Sequence, residues 1–216
     1  MSIVKVRAAL EAQLALVAPV IPPVAILSVV IGATAVFTTA TPHGLVTGLP
    51  VTLPGYTGGT PTLPGVYSAV VLSSTTFSLQ NTATKATVSL SAAGSGGVVS
   101  ANLTSFQNAV FQPVSGIPHQ EVHMVPFKPD EPTQGAGYYR EHGLFQVTLV
   151  YPLGVGTGAL LARAEQIRSS FRRGSSFESD GVTIQIPDTP EFGHLDGSED
   201  SIRMPVKIYY SANIFN

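Results

Sequence analysis

Residues 144–174, LFQVTLVYPLGVGTGALLARAEQIRSSFRRG, admit few folds. Phe145, Val147, Leu149 and Tyr151 alternate with Gln146 and Thr148, the period that lets a strand bury one face. Pro152 has no N–H for a ladder, so the strand should stop there. Gly154, Gly156 and Gly158 free the backbone for a tight reversal, with Thr157 placed to cap a helix. Leu160, Ala164, Ile167 and Phe171 then recur at helical spacing, with Arg163, Gln166 and Arg173 expected largely on the opposite face. Arg172 and Arg173 sit where the helix dipole favours cations, and Gly174 suits a left-handed C′ position. The pattern predicts a helix docked on the apolar face of its own preceding strand.

Charge is unevenly spread. Between Ala12 and Gln120 the only charged residue is Lys85, while residues 121–216 carry twenty. Such a shift predicts a separate module. The net charge of −2 gives no bulk attraction to nucleic acid or anionic membrane. The absence of cysteine excludes disulfides, thiolate zinc sites and cysteine nucleophiles.

The N-terminus reads as an amphipathic helix capped by Ser2, with Ile3, Val6, Leu10, Leu14 and Val17 on one face. An export signal would use Lys5, Arg7 and the apolar run 14–31, but Pro19, Pro22 and Pro23 interrupt that run. Short β-like runs follow at 24–31, 34–39, 50–53, 66–72, 75–80 and 86–91, separated by turn residues, and indicate a small barrel or sandwich. Thr41-Pro42-His43-Gly44-Leu45, Gly65-Val66-Tyr67 and Ser74 to Leu79 resemble a β-module recurrent in bacteriophage tail and virion-surface proteins. Leu49 and Pro64 depart from its usual acidic residue and asparagine.

Beyond it, a strand is expected around 119–125 with Val122 and Met124 inward, then a proline- and glycine-rich loop at 126–140. After the strand–helix come strands at 182–186 and 202–210, joined by a loop holding Asp188, Glu191, Asp196, Glu199 and Asp200. The resulting fold class is α+β, a mostly antiparallel sheet with helices packed on one face, plus an inserted all-β barrel or sandwich. The expected domains are residues 1–23 with 104–216, and the insertion 24–103.

Several stretches resemble the tail terminator, or tail completion, proteins of long-tailed phages. They are Asn108 to Pro113, Gly143 to Val147, Tyr151 to Gly154 with Gly156-Thr157-Gly158, Arg163 to Ile167 with Phe171 to Gly174, and Met204 to Tyr210. The resemblance implies a homohexameric ring that caps the tail tube protein and joins it to the head-side connector or stopper. It implies a lumen that DNA traverses without sequence-specific binding, no membrane, and a place in the virion at the tail–neck junction after assembly in the host cytoplasm.

Chemical signals are sparse. The 154–158 loop lacks the lysine of a P-loop and the full G-x-G-x-x-G, so a tight turn explains it. His119, His123 and His142 hint at a metal but bring no assured carboxylate, and solvated histidines are expected. The acidic loop lacks a calcium-binding D-x-D-x-D-G pattern, and no G-x-S-x-G elbow exists. No catalytic residue, cofactor or metal is assigned, and the chain reads as no enzyme. Arg163, Arg168, Arg172 and Arg173 form either a solvated helix face or, with Asp188, Glu191 and Asp196, a subunit or partner interface. Three readings result: a tail terminator, a virion-surface module whose barrel binds carbohydrate or a host surface, and an exported hydrolase without catalytic spacing. The outward sheet set Gln146, Thr148, Thr183, Gln185, Arg203 and Lys207 is polar without being strongly basic, which suits DNA passage.

Overall fold

The computed structural model describes residues 3–17, 19–101, 103–107, 111, 113–131, 138–154, 156–179, 181–198 and 200–215. Ser2, Asn108, Ala109, Val110, Gln112, residues 132–137, Val155 and Glu199, on which parts of the sequence reading rest, lie outside them. The chain divides into two compact units, Pro19–Leu103 and the residues on either side of it.

Helix α1 spans Ile3–Ala15 and buries Val6, Ala9, Leu10 and Leu14. Val17 is buried just past its end. The Pro19–Leu103 unit holds β1 (Val24–Val30), β2 (Val36–Thr39), β3 (Pro50–Thr52), β4 (Tyr67–Val71), β5 (Thr76–Asn81) and β6 (Val98–Ala101). They close into a barrel in the order β1-β2-β5-β4-β3-β6. Phe37 and Phe77 stack at its centre, with ring centroids 5.3 Å apart. β1 and β6 pair Val24 with Val99, so the unit's chain ends lie side by side. The strand expected at 86–91 does not form. That segment makes isolated bridges, Gln80 to Thr87 and Gly32 to Leu90, and its backbone hydrogen bonds are divided among Leu79 and Asn81 of β5, Ala35 and Thr60. The sixth strand, β6, was hidden behind the Gly94–Gly97 turn. There a Cβ on Gly94 would sit 2.4 Å from the Thr57 carbonyl oxygen and 2.6 Å from the Tyr56 ring, so only glycine fits.

The other unit continues with β7 (Thr104–Phe106), β8 (His119–Pro126), β9 (Tyr138–Pro152), α2 (Gly158–Ser170), β10 (Ser176–Ser179), β11 (Val182–Gln185), β12 (Glu191–Phe192), β13 (Asp196–Gly197) and β14 (Ser201–Phe215). Its sheet runs β10-β11-β14-β9-β8-β7, with β12 and β13 also on β14. Among the described residues of this sheet only the β7–β8 pair is parallel. β9 and β14 pair over their whole length, from Ser201 opposite Pro152 to Phe215 opposite Tyr138. Phe145, Val147, Leu149 and Tyr151 of β9 and Met204, Val206, Ile208 and Tyr210 of β14 share one core with the buried faces of α1 and α2. Among the described residues, α-helix is confined to two segments of thirteen residues each. The chain is therefore mostly β with a closed barrel, and the α+β expectation overstates its helical share.

Several boundaries move. β9 begins at Tyr138, so the loop expected at 126–140 is shorter: Phe127 N–H donates to the His142 carbonyl, and Asp130 and Arg140 exchange backbone hydrogen bonds. The acidic loop is a strap whose β12 and β13 pair along β14. Thr157 occupies the N-cap of α2 as expected, but with helical φ and ψ and no side-chain capping hydrogen bond. The helix ends with Phe171 as C-cap, leaving Gly174 (φ 78°) three residues beyond rather than at C′.

Phe171 is fully buried, 6.0 Å from the rings of both Phe145 and Phe177, while Arg172 is exposed. Phe171→Ala should cost about 3–5 kcal/mol in chemical denaturation, and Arg172→Ala within about 0.5 kcal/mol. Equal losses would mean that the docked face of α2 is wrongly assigned.

Candidate functional site

The inward alternation of β8, β9 and β14 leaves a second, outward face. It carries Glu121 and His123 of β8, Arg140, His142, Gln146 and Thr148 of β9, and Arg203, Lys207 and Asn213 of β14. Thr183 and Gln185 of β11 are exposed, and Gln146 and Lys207 half-buried. Thr148 is buried at 8% exposure, and Val150 beside it at 4%, so this end of the face is not open to solvent as expected.

Charges on this face come in opposed pairs. Arg203 Nη1 lies 3.3 Å from Glu121 Oε2, reaching across β9. On its other side, β13 places Asp196 directly opposite Arg203. β12 likewise places Glu191 opposite Lys207. Cross-strand neighbours of opposite sign attract when their Cβ atoms are about 5 Å apart. Arg140 Nε donates to Asn213 Oδ1 at 3.2 Å. Arg203 thus pairs with the Glu121 carboxylate and has Asp196 as a cross-strand neighbour, Lys207 has Glu191 as a cross-strand neighbour, and Arg140 donates to an amide oxygen. Sequence reasoning placed Arg203 and Lys207 outward but missed their partners, because the register of a two-residue strand leaves no periodic trace.

The four arginines of the α2 segment separate. Arg163, expected on the outer face, is only 5% exposed. Its Nε and Nη2 donate to Gln120 Oε1 at 3.3 and 2.9 Å, and its Nη1 to Gln166 Oε1 at 3.3 Å. Gln120 in turn donates to Thr104 Oγ1 at 2.8 Å, tying α2 to β8 and β7. Burial lowers the Arg163 pKa and raises that of Tyr151, and their mutual interaction opposes both shifts. Spacing held the signal: Arg163 lies three residues after Leu160 and four before Ile167, on the buried stripe. Arg168 is committed within its own subunit. Its guanidinium lies 3.5 Å from the centroid of the Phe192 ring, its Nε donates to the Pro190 carbonyl, and its Nη1 meets Glu165 Oε1 at 3.0 Å. Arg172 and Arg173 are exposed, as are Asp188, Glu191 and Asp196. Asp188 lies on the same corner as the two arginines, because Gly174 N–H donates to the Ile186 carbonyl.

The histidines do not converge. His119, expected to be solvated, is buried at 7% exposure with its ring 5.4 Å from Phe111. His123 is exposed. His142 stacks edge-on against Phe127, with Nδ1 3.8 Å from Asp130 Oδ2. Among the described residues no group of three or more His, Asp or Glu could hold a metal ion, and no helix is long and apolar enough to cross a membrane. In the barrel, Phe37 and Phe77 are fully buried and Tyr56 Oη accepts the Gly94 N–H, which leaves few rings for stacking on a sugar.

Arg163→Ala should destabilise the chain by about 1–3 kcal/mol, because it strands Gln120 Oε1 in the core. Arg173→Ala should change stability by less than about 0.5 kcal/mol. Thermal or denaturant unfolding of both variants checks the difference.

A solved structure 19% identical to this chain covers 52% of it and 80% of its own length, with a TM-score of 0.41, too slight a likeness to build on. No curated protein matches. A sequence model of the family described as phage tail terminator protein matches residues 98–210, more than half of the chain. On that match, and with the 144–174 and 204–210 segments inside it, the chain belongs to the phage tail terminator protein family.

Proposed function

We propose that this member of a phage tail family forms a homohexameric ring that caps the completed tail tube and joins it to the head-side connector, with DNA passing through its lumen. The observation that carries the reading, beyond family membership, is the outward sheet face, polar and balanced in charge. Such a face suits a passage for DNA because tight phosphate binding needs several clustered, unopposed cations. Ring contacts fall to the exposed charges Arg172 and Arg173 past α2 and Asp188 at the start of the strap, while Glu191 and Asp196 lie beside the cations of the outward face. Asp196 is opposite Arg203, whereas the arginine corner lies near Ile186, whose neighbour Gln185 faces Ser211. Eight residues of extended chain separate Arg203 from Ser211, about 26 Å, which keeps the arginine corner and its subunit contact apart from the Asp196 end of the face.

The Pro19–Leu103 barrel is, on this reading, an independently folding insertion. Its adjacent ends, Val24 and Val99, support that arrangement. Replacing residues 24–103 by a short Gly/Ser linker should leave a chain that still unfolds cooperatively. Loss of the cooperative transition would make the barrel part of the essential core.

Arg172→Glu with Arg173→Glu should leave subunit melting nearly unchanged, yet yield tails that fail to end at normal length or to join heads, as seen by electron microscopy. Normal tails would remove these arginines from the interface. A single copy at the tail end would remove the ring.

A further inference from the structure

The strap at residues 188–200 takes a course that backbone satisfaction alone does not explain. It could cover the β14 edge with any polar side chains, yet its two short strands set carboxylates opposite the two cations of outward β14. Glu191 faces Lys207 and Asp196 faces Arg203. The intervening strap residues do not repeat this, since Phe192 packs toward the core opposite Val206, and Gly197 meets Ile202. Arg203 is opposed a second time by Glu121 on β8. Arg168 holds the strap in place through the Pro190 carbonyl and the Phe192 ring. The carboxylates are therefore positioned by an anchored element.

We propose that the strap masks Lys207 and Arg203 against a polyanion, so that double-stranded DNA moving past the strap finds both of these cations opposed by carboxylates. The proposal rests on the reading that DNA passes this surface. Each phosphate that a cation neutralises adds about 0.9 to the salt slope of DNA binding, so two exposed cations in each copy would already make a ring adhesive at low salt. Two carboxylates placed in register remove that attraction locally, without making the whole protein strongly acidic.

The test compares the full-length chain with Glu191→Gln/Asp196→Asn, and with Glu178→Gln/Asp188→Asn as a control of equal charge change at exposed positions elsewhere. The probe is a labelled 30-base-pair duplex read by fluorescence anisotropy between 50 and 200 mM salt. The strap variant should bind about tenfold more tightly than the natural chain at low salt, with a salt slope steeper by about 1 to 2. The control variant should not change. Equal gains in both variants, no gain in either, or strong binding by the natural chain would each overturn the masking. The amide replacements are near-isosteric, and thermal unfolding verifies the fold; Asp196→Asn alone gives a milder second variant. No tail is needed for this measurement. A gain in DNA binding alongside monomeric protein at the tail end would therefore keep the masking and discard the ring.

Discussion

The ladder between β9 and β14 is the constraint on which the α1/α2 unit depends. Fifteen consecutive antiparallel pairs fix which side chains face the helices and which face outward. A slip of one residue would exchange the two sets, carrying Arg203 and Lys207 into the core and Met204 and Val206 out of it. The register has a mechanical lock at Gly143. A Cβ there would stand 2.6 Å from Tyr210 Oη and 2.6 Å from the Val125 carbonyl oxygen. The phenol of Tyr210 thus occupies the volume that any other residue at 143 would need. Burial and, secondarily, the nearby Glu141 carboxylate raise the Tyr210 pKa, so the ring is held neutral in that slot.

Once the ladder is set, its neighbours complete the backbone. β11, β12 and β13 share the far edge of β14, and β8 pairs with β9. β7 pairs with β8 for only three residues, after which the Gln107 side chain accepts the Met124 N–H at 3.3 Å. Pro126 ends β8 with no N–H to offer. The sheet therefore terminates in short strands, β7 and β10, rather than in long unpaired edges, a common defence against unwanted pairing. Charges follow the same frame. The outward cations of β14, Arg203 and Lys207, lie opposite carboxylates, and Arg163 is drawn into a buried polar network beneath α2.

Much of this was legible in the residues themselves. The alternation at 145–151 and the stripe Leu160, Ala164, Ile167 and Phe171 specify a strand and a helix because each follows one period without interruption. The first half of β9 was not legible. Its inward positions are Tyr139, Glu141 and Gly143, a set that breaks the apolar rhythm because Tyr210 fills the space from the opposite strand. Arg163 was misplaced for a related reason. Its charge suggested solvent, while its spacing agreed with the buried stripe, and the deciding partner, Gln120, lies on a distant strand. Segment 86–91 erred in the other direction: its composition suits a strand, but its backbone hydrogen bonds are divided among the end of β5, Ala35 and Thr60 and build no continuous ladder. The charge pairs of the outward face depend on two strands of two residues each, too short to show any period.

The crossing of Val24 and Val99 also bears on how the chain reaches its native state. α1 and α2 belong to one core, yet the barrel sequence intervenes between α1 and every strand it packs against. Closing a loop of that length costs entropy that grows with the logarithm of its residues. A barrel that folds first ties residues 24 and 99 together and reduces the detour to a few connecting residues on either side. The return of α1 to its sheet then resembles the closing of a short connection, lower in entropic cost by about (3/2)RT times the logarithm of the length ratio. On the reading that the barrel folds by itself, it acts as a clasp on the unfolded chain. Its own stability becomes a determinant of how quickly the remainder assembles.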